Sequence, residues 1–168
     1  MNKKLILFPG SFNPFHRGHL NILEKSEAIF GKENITILVG VNPEKTKTIL
    51  INQAISSTHG NTFILDRAAT IKRNLPSKNV KKFSGFLTDY INKKEQEGFD
   101  VTIIRGLRNG SDLDYEMNQL RFMLDQKNDL KTVFIVCDAQ YNHISSSAYR
   151  MLESIQEGSA LQYLAKEI

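Results

Sequence analysis

Phe8-Pro9-Gly10-Ser11-Phe12-Asn13-Pro14-Phe15-His16-Arg17-Gly18-His19 lies between two runs of different periodicity. Before it, Leu5-Ile6-Leu7-Phe8 is short, apolar and uncharged, the pattern of a parallel strand buried on both faces. After it, Leu20, Ile22, Leu23, Ile29 and Phe30 recur at helical spacing, and Gly31 stands where a helix ends. The stretch therefore joins a core strand to a helix N-terminus, where unpaired N–H groups and the positive dipole end attract anions. Gly10 reads as room for a phosphate against the backbone, and Gly18 as a side chain removed where the helix begins. His16 and His19, three residues apart, fall on one side of the first turn. A neutral imidazole there can donate to a phosphoryl oxygen, whereas a single His would serve equally to cap or pack the loop. Two His, two Gly and a Pro pair on one strand-to-helix turn point to phosphate chemistry.

Outward from this loop, strand-like and helix-like patterns alternate, the arrangement of a parallel α/β sheet. Strands are expected at 35–41, 80–83, 101–104 and 132–137. A helix carrying Ala68, Ala69, Lys72 and Leu75 should end before Pro76, and Phe86, Leu87, Tyr90 and Ile91 form a second helical face. A capping box of Ser111 with Asp114 introduces Leu113, Met117, Leu120 and Leu124. Ser145 or Ser146 caps a helix with Ala148, Leu152 and Ile155, and a short terminal helix over 161–168 is expected to pack on the outside. The polar stretch 47–62 reads as a loop, with Thr48-Ile49-Leu50-Ile51 strand-like at its start. The expected fold is α/β: a single Rossmann-like domain, a mostly parallel sheet with helices on both faces.

The 168 residues are enough for one domain with a substantial core. A formal charge of +4 suits anionic ligands or simply a soluble surface, and does not by itself select nucleic acid. One cysteine, Cys137 in an apolar run, excludes an intramolecular disulfide and reads as a buried thiol. The basic N-terminus precedes an apolar run too short for a signal or a membrane span, so a cytoplasmic enzyme with neither nucleic-acid nor membrane partners is expected.

Three further groups follow predicted strands, where ligands of open parallel sheets collect. Asn42-Pro43-Glu44-Lys45 puts a cation within reach of the first loop. Arg105-Gly106-Leu107-Arg108 precedes an acidic helix with Asp112, Asp114 and Glu116. The two arginines read either as a clamp for several phosphates or as an ion-pair patch with that helix. His143-Ile144-Ser145-Ser146-Ser147 offers hydroxyl and N–H groups to an anion, or an ample N-cap.

His16-x-Gly18-His19 after Gly10-Ser11-Phe12-Asn13-Pro14 resembles the signature of the HxGH nucleotidyltransferases. Ile104-Arg105-Gly106-Leu107-Arg108 with Asp112-Leu113-Asp114-Tyr115-Glu116-Met117 resembles the internal signature of the bacterial phosphopantetheine adenylyltransferases. The resemblance runs from Leu5 to about Leu152. It implies transfer of AMP from ATP to 4′-phosphopantetheine by in-line displacement, with Mg²⁺ expected through the ATP phosphates. It also implies a homo-oligomer, a hexamer. His19 matches the transition-state stabiliser. Ser11, Lys45, Leu87 and Arg105 match phosphopantetheine-binding positions. Ser11, Phe12, His19, Gly106, Leu107, Arg108, Glu116, Tyr141, Asn142, His143, Ile144, Ser145, Ser146 and Ser147 match ATP-binding positions, and His16 is placed with them. Asn13 and His16 stand where the family usually has Asp and Thr, and resemble the nicotinate or nicotinamide mononucleotide adenylyltransferases. His143 stands where an aromatic residue is common, and the segment after Lys45 is longer than usual. A mononucleotide acceptor is thus the alternative. A non-catalytic nucleotide-binding module is the other, though both phosphate clamps would then be superfluous.

Overall fold

The computed structural model describes residues 2–41 and 66–167; Lys45, the strand-like 48–51 and the polar stretch 47–62 lie outside the described residues. Among the described residues five strands form one sheet: β1 (Lys3–Gly10), β2 (Ile35–Gly40), β3 (Val80–Phe83), β4 (Phe99–Leu107) and β5 (Thr132–Val136). Every pairing is parallel and the order is β3-β2-β1-β4-β5. The helices are α1 (Arg17–Phe30), α2 (Arg67–Asn74), α3 (Leu87–Gln96), α4 (Gly110–Gln126) and α5 (Ser146–Ile155). The alternating pattern thus folds as expected, into one α/β domain of Rossmann-like order. Among the described residues no helix is long and apolar enough to cross a membrane.

Alternation along the strands builds two cores. Ile6, Phe8, Ile37 and Val39 face Ile22 and Leu23 of α1 and Ala68 and Ile71 of α2. Leu7, Leu38 and Ile103 face Ile91 of α3, with Met123 of α4 against them. Because both faces are covered there, the middle of the sheet is apolar at consecutive positions, Leu5–Phe8 of β1, Ile37–Val39 of β2 and Ile103–Ile104 of β4, whereas the edge strand β3 carries Lys81 and Lys82. β1 lies at the centre, with β2 on one side and β4 on the other. The connections after β1 and β4 diverge there, opening a crevice at the carboxyl ends of the strands.

Three expectations are corrected. β4 runs on to Leu107, so Arg105 and Gly106 belong to the strand rather than to a loop after it; both pair in register with Phe134 and Ile135 of β5. The cap of α4 is Asn109, not Ser111. Its extended backbone lets the side chain accept from the Asp112 N–H at 3.0 Å, and Asn is among the best caps. Residues 161–167 do not form a helix. A single 3₁₀ turn, Leu161–Tyr163, is followed by extended chain in which Leu164 bridges to His16 and Ala165 donates to the Phe15 carbonyl. So short a segment has little helical stability of its own, and the loop offers its backbone partners instead. Ala165 is consequently buried in the first core rather than lying outside.

Gly106 governs the closest approach of α1 to the sheet. A Cβ there would stand 2.8 Å from Ile22 Cγ1. Gly106→Ala is expected to destabilise the fold by about 1–3 kcal/mol through overpacking, each kcal/mol lowering Tm by about 2–4 °C in a chain of this size. In a double-mutant cycle with Ile22→Ala, part of that loss should be recovered. Strictly additive losses in thermal unfolding would show that the contact does not limit the packing.

Candidate active site

Phe12 adopts φ +47°, a left-handed conformation uncommon for a bulky residue. Such backbone costs about 1–3 kcal/mol and persists only where its surroundings enforce it. The ring is enclosed by Phe8, Phe15 and His19 at centroid distances of 5.2, 4.9 and 5.0 Å. Gly10 makes this possible, since a Cβ there would lie 2.7 Å from the Phe12 ring. Gly10 thus seats Phe12, while its backbone also lines the cavity described below. The loop backbone is held from outside. Arg67 of α2 donates to the carbonyls of Ser11 and Gly40, Arg150 of α5 to that of Asn13, and the Ser146 hydroxyl to that of Pro14.

His16 is the N-cap of α1, and its Nδ1 accepts from the His19 N–H at 3.3 Å. In return His19 Nδ1 accepts from the His16 N–H at 3.1 Å. The rings stack at 3.6 Å with 20° between their planes. Two of the helix's orphan donors are thus satisfied by a capping box built from two imidazoles. An Nδ1 that accepts carries no proton, so in the neutral ring the proton sits on Nε2. Burial, then the Arg108 charge, lowers His16 to about 4. Burial, then His16 and Arg108, hold His19 well below the ordinary imidazole value. Both rings are therefore neutral at pH 7, and each presents an Nε2–H donor.

Both rings line a cavity of about 370 Å³ at the carboxyl ends of β1 and β4. Arg105 is gripped by Glu116 through Nε and NH2, at 2.6 and 3.1 Å. Arg108 is gripped by Asp112 in the same way, at 2.9 and 3.0 Å. The two sequence readings of these arginines thus coexist: they are ion-paired to the acidic helix and they line the cavity. Among the described residues no cluster of three or more His, Cys, Asp or Glu could hold a metal ion. Asp112 and Glu116, the carboxylates that line the cavity among the described residues, are committed to the arginines.

Of the residues singled out from sequence, Ser11, Phe12, His16, His19, Arg105, Gly106, Leu107, Arg108, Glu116, Ser145 and Ser146 line this cavity. Ser145 caps α5 by accepting from the Ala148 N–H. Leu87 does not reach the cavity, because it opens α3 on the other face and packs into the second core. Tyr141 packs against the first core, and Asn142 closes the 3₁₀ turn Ala139–Tyr141. His143 sets its ring against Tyr163, Ile144 gives its carbonyl to Arg108, and the Ser147 hydroxyl accepts from Arg150. Cys137, buried as expected, lies just past β5 and lines the cavity wall, its thiol pKa raised by burial. The sequence reading offered Asp112 only as one acid of an ion-pairing helix, and it assigned no individual role to Tyr115 or Arg67. Asp112 stood four residues after Arg108 in a helix start, a visible ion-pair spacing; Arg67 gave no comparable signal.

The histidines predict a pH dependence. Unfolded His16 binds its proton near pH 6.5 and folded His16 near 4, so between these values the unfolded state holds more protons. Stability is full above about pH 6.5 and falls as pH drops towards 4, by about 3 kcal/mol from His16 alone. His19 acts in the same direction. Asp66, Asp112 and Asp138, whose pKa values are lowered, lose their contribution only at more acid pH. Urea unfolding between pH 7 and 4.5 should show this slope, and His16→Asn should flatten it. An unchanged slope in the variant would contradict neutral burial of His16.

The cytidylyltransferase-like family model matches residues 7–152. The phosphopantetheine adenylyltransferase of Syntrophomonas wolfei is 35% identical over 147 residues, covering 88% of this chain and 81% of that protein. That of Finegoldia magna is 33% identical over 154 residues, covering 92% and 85%. Among solved structures, Plasmodium falciparum nicotinic acid mononucleotide adenylyltransferase complexed with NaAD matches with a TM-score of 0.43 and 17% identity, covering 96% and 90%. The chain belongs to the cytidylyltransferase-like family, among the phosphopantetheine adenylyltransferases.

Proposed function

We propose that this chain transfers the adenylyl group of ATP to 4′-phosphopantetheine, giving dephospho-coenzyme A and pyrophosphate. The reading is supported by relatives named for this activity that match across most of both chains. The observation that carries it in the molecule is the cavity in which two neutral imidazoles face two clamped arginines at a helix N-terminus. Such a site suits several phosphates, and nucleophile-type side chains in it are restrained: burial raises the Cys137 thiol pKa, and backbone bonds occupy the Ser145 and Ser146 hydroxyls. Catalysis then consists of positioning and charge stabilisation.

A phosphate oxygen of the acceptor attacks the α-phosphorus of Mg²⁺–ATP. The new P–O bond forms as the bond to the β-phosphate oxygen breaks, and pyrophosphate carries away the electron pair. His19 Nε2–H donates to the α-phosphoryl oxygens, with His16 beside it. Arg108, Ser145 and Ser146 hold the β- and γ-phosphates, with Ser147 added by family resemblance. Arg105 and Lys45 hold the acceptor phosphate, Lys45 by family resemblance. Mg²⁺ travels on the triphosphate as part of the substrate. The same resemblance supports a hexamer as the working form, and the short apolar run after the N-terminus supports a cytoplasmic one.

The test is pyrophosphate release by the purified protein with Mg²⁺–ATP and a panel of acceptors. 4′-Phosphopantetheine should be used far faster than nicotinate or nicotinamide mononucleotide. His19→Ala should lower kcat with the preferred acceptor by about 100- to 1,000-fold, while ATP still binds and Tm barely moves. Preference for either mononucleotide would reassign the acceptor. No product with any acceptor would favour a non-catalytic nucleotide-binding module.

A further inference from the structure

Arg105 and Arg108 meet partners of one kind. Each gives Nε and NH2 to a carboxylate of α4, and each gives NH1 to a backbone carbonyl, that of Pro9 for Arg105 and of Ile144 for Arg108. Asp112 and Glu116 are four residues apart, so one helix face supplies both carboxylates. The Asp112 grip is the more elaborate. Its Oδ2 also accepts the Arg108 backbone N–H at 2.8 Å, and its own N–H is held by Asn109. Asp112 therefore fixes both ends of the Arg108 side chain.

A guanidinium has five N–H donors. The side-chain bonds of Arg108 use three, leaving one N–H on each terminal nitrogen for a ligand. The arginine can meet an anion only through these two N–H groups, from a direction that its bonds fix. The carboxylate has a second effect, because it offsets the Arg108 charge. A bare arginine would attract a triphosphate or free pyrophosphate strongly in any pose. A clamped and partly neutralised one contacts phosphate well only where its free edge points. Binding energy is thereby withheld from the ground state and kept for the geometry of the transition state.

We infer that Asp112 is a positioning residue for the reaction: it aims Arg108 at the departing pyrophosphate and weakens that arginine's hold on pyrophosphate once released. The inference rests on the adenylyl-transfer reading above. The experiment compares wild type, Asp112→Asn, Arg108→Ala and the double variant. The readouts are turnover with Mg²⁺–ATP and 4′-phosphopantetheine, calorimetric binding of inorganic pyrophosphate, and Tm. Asp112→Asn keeps an acceptor for the Arg108 N–H but loses the charge and the two-pronged grip. It should lower kcat by at least about tenfold, since small misplacements are costly in such sites. Its pyrophosphate affinity should stay level or tighten, and its Tm should stay near wild type. In the Arg108→Ala background the same change should cost less than about threefold, because its target is gone. Asp112→Glu, which keeps the charge but displaces the grip, should also lower kcat, and it replaces the Asn variant if that one does not fold.

Turnover of Asp112→Asn within about threefold of wild type would overturn the inference. So would an equal loss in the Arg108→Ala background, or weaker pyrophosphate binding by a variant that melts normally. If the wild type itself releases no pyrophosphate, the reaction assigned above fails. The binding cycle still decides whether Asp112 restrains Arg108.

Discussion

The site depends on two reciprocal hydrogen bonds, from the backbone N–H of His16 to the ring of His19 and from that of His19 to the ring of His16. They start α1, because an uncapped first turn would leave both donors without partners. They stack the rings, and they leave each ring one donor on Nε2. Burial and the neighbouring Arg108 charge then keep both rings neutral. A charged imidazole pair at this separation would repel itself and the helix dipole together. One local arrangement thereby supplies the helix start, the tautomers and the charge state of the site.

The sheet determines what these donors face. With β1 central and β4 beside it, the loop after β1 opposes the end of β4. Gly106 lets Ile22 of α1 approach β4 closely, so Arg105 and Arg108 on either side of it reach the cavity. α4 contributes no fully buried residue. Its value to the site lies in Asp112 and Glu116, which hold the arginines in place. The cavity combines fixed donors with cations whose charge is offset, a balance suited to phosphates that must bind and then leave.

The sequence exposed what local periodicity encodes. β1, the first loop, α1 and the parallel sheet could all be read because each needs only a run of neighbours to declare it. Ser145 as a cap was legible for the same reason. Contacts between distant side chains were not. Gly10 reads as space beside the backbone, and only the fold shows that the Phe12 ring needs that space as well. Arg105 and Arg108 left two readings open, because a single sequence does not say whether an ion pair lies inside a cavity or on a surface. The end of the chain looked helical until Phe15 and His16 offered its backbone other partners. Leu87 opens α3 and packs against the second core, a placement that needed the path of the chain between β3 and β4.

The central claim is that His16 and His19 are neutral, with the proton of each on Nε2. Long-range ¹H–¹⁵N correlation spectra of the histidine rings at pH 7 test it most directly. The account predicts a pyrrole-type Nε2 and a pyridine-type Nδ1 for both residues, assigned through His16→Asn and His19→Ala. Two protonated-type nitrogens in either ring, or a proton on either Nδ1, would contradict it.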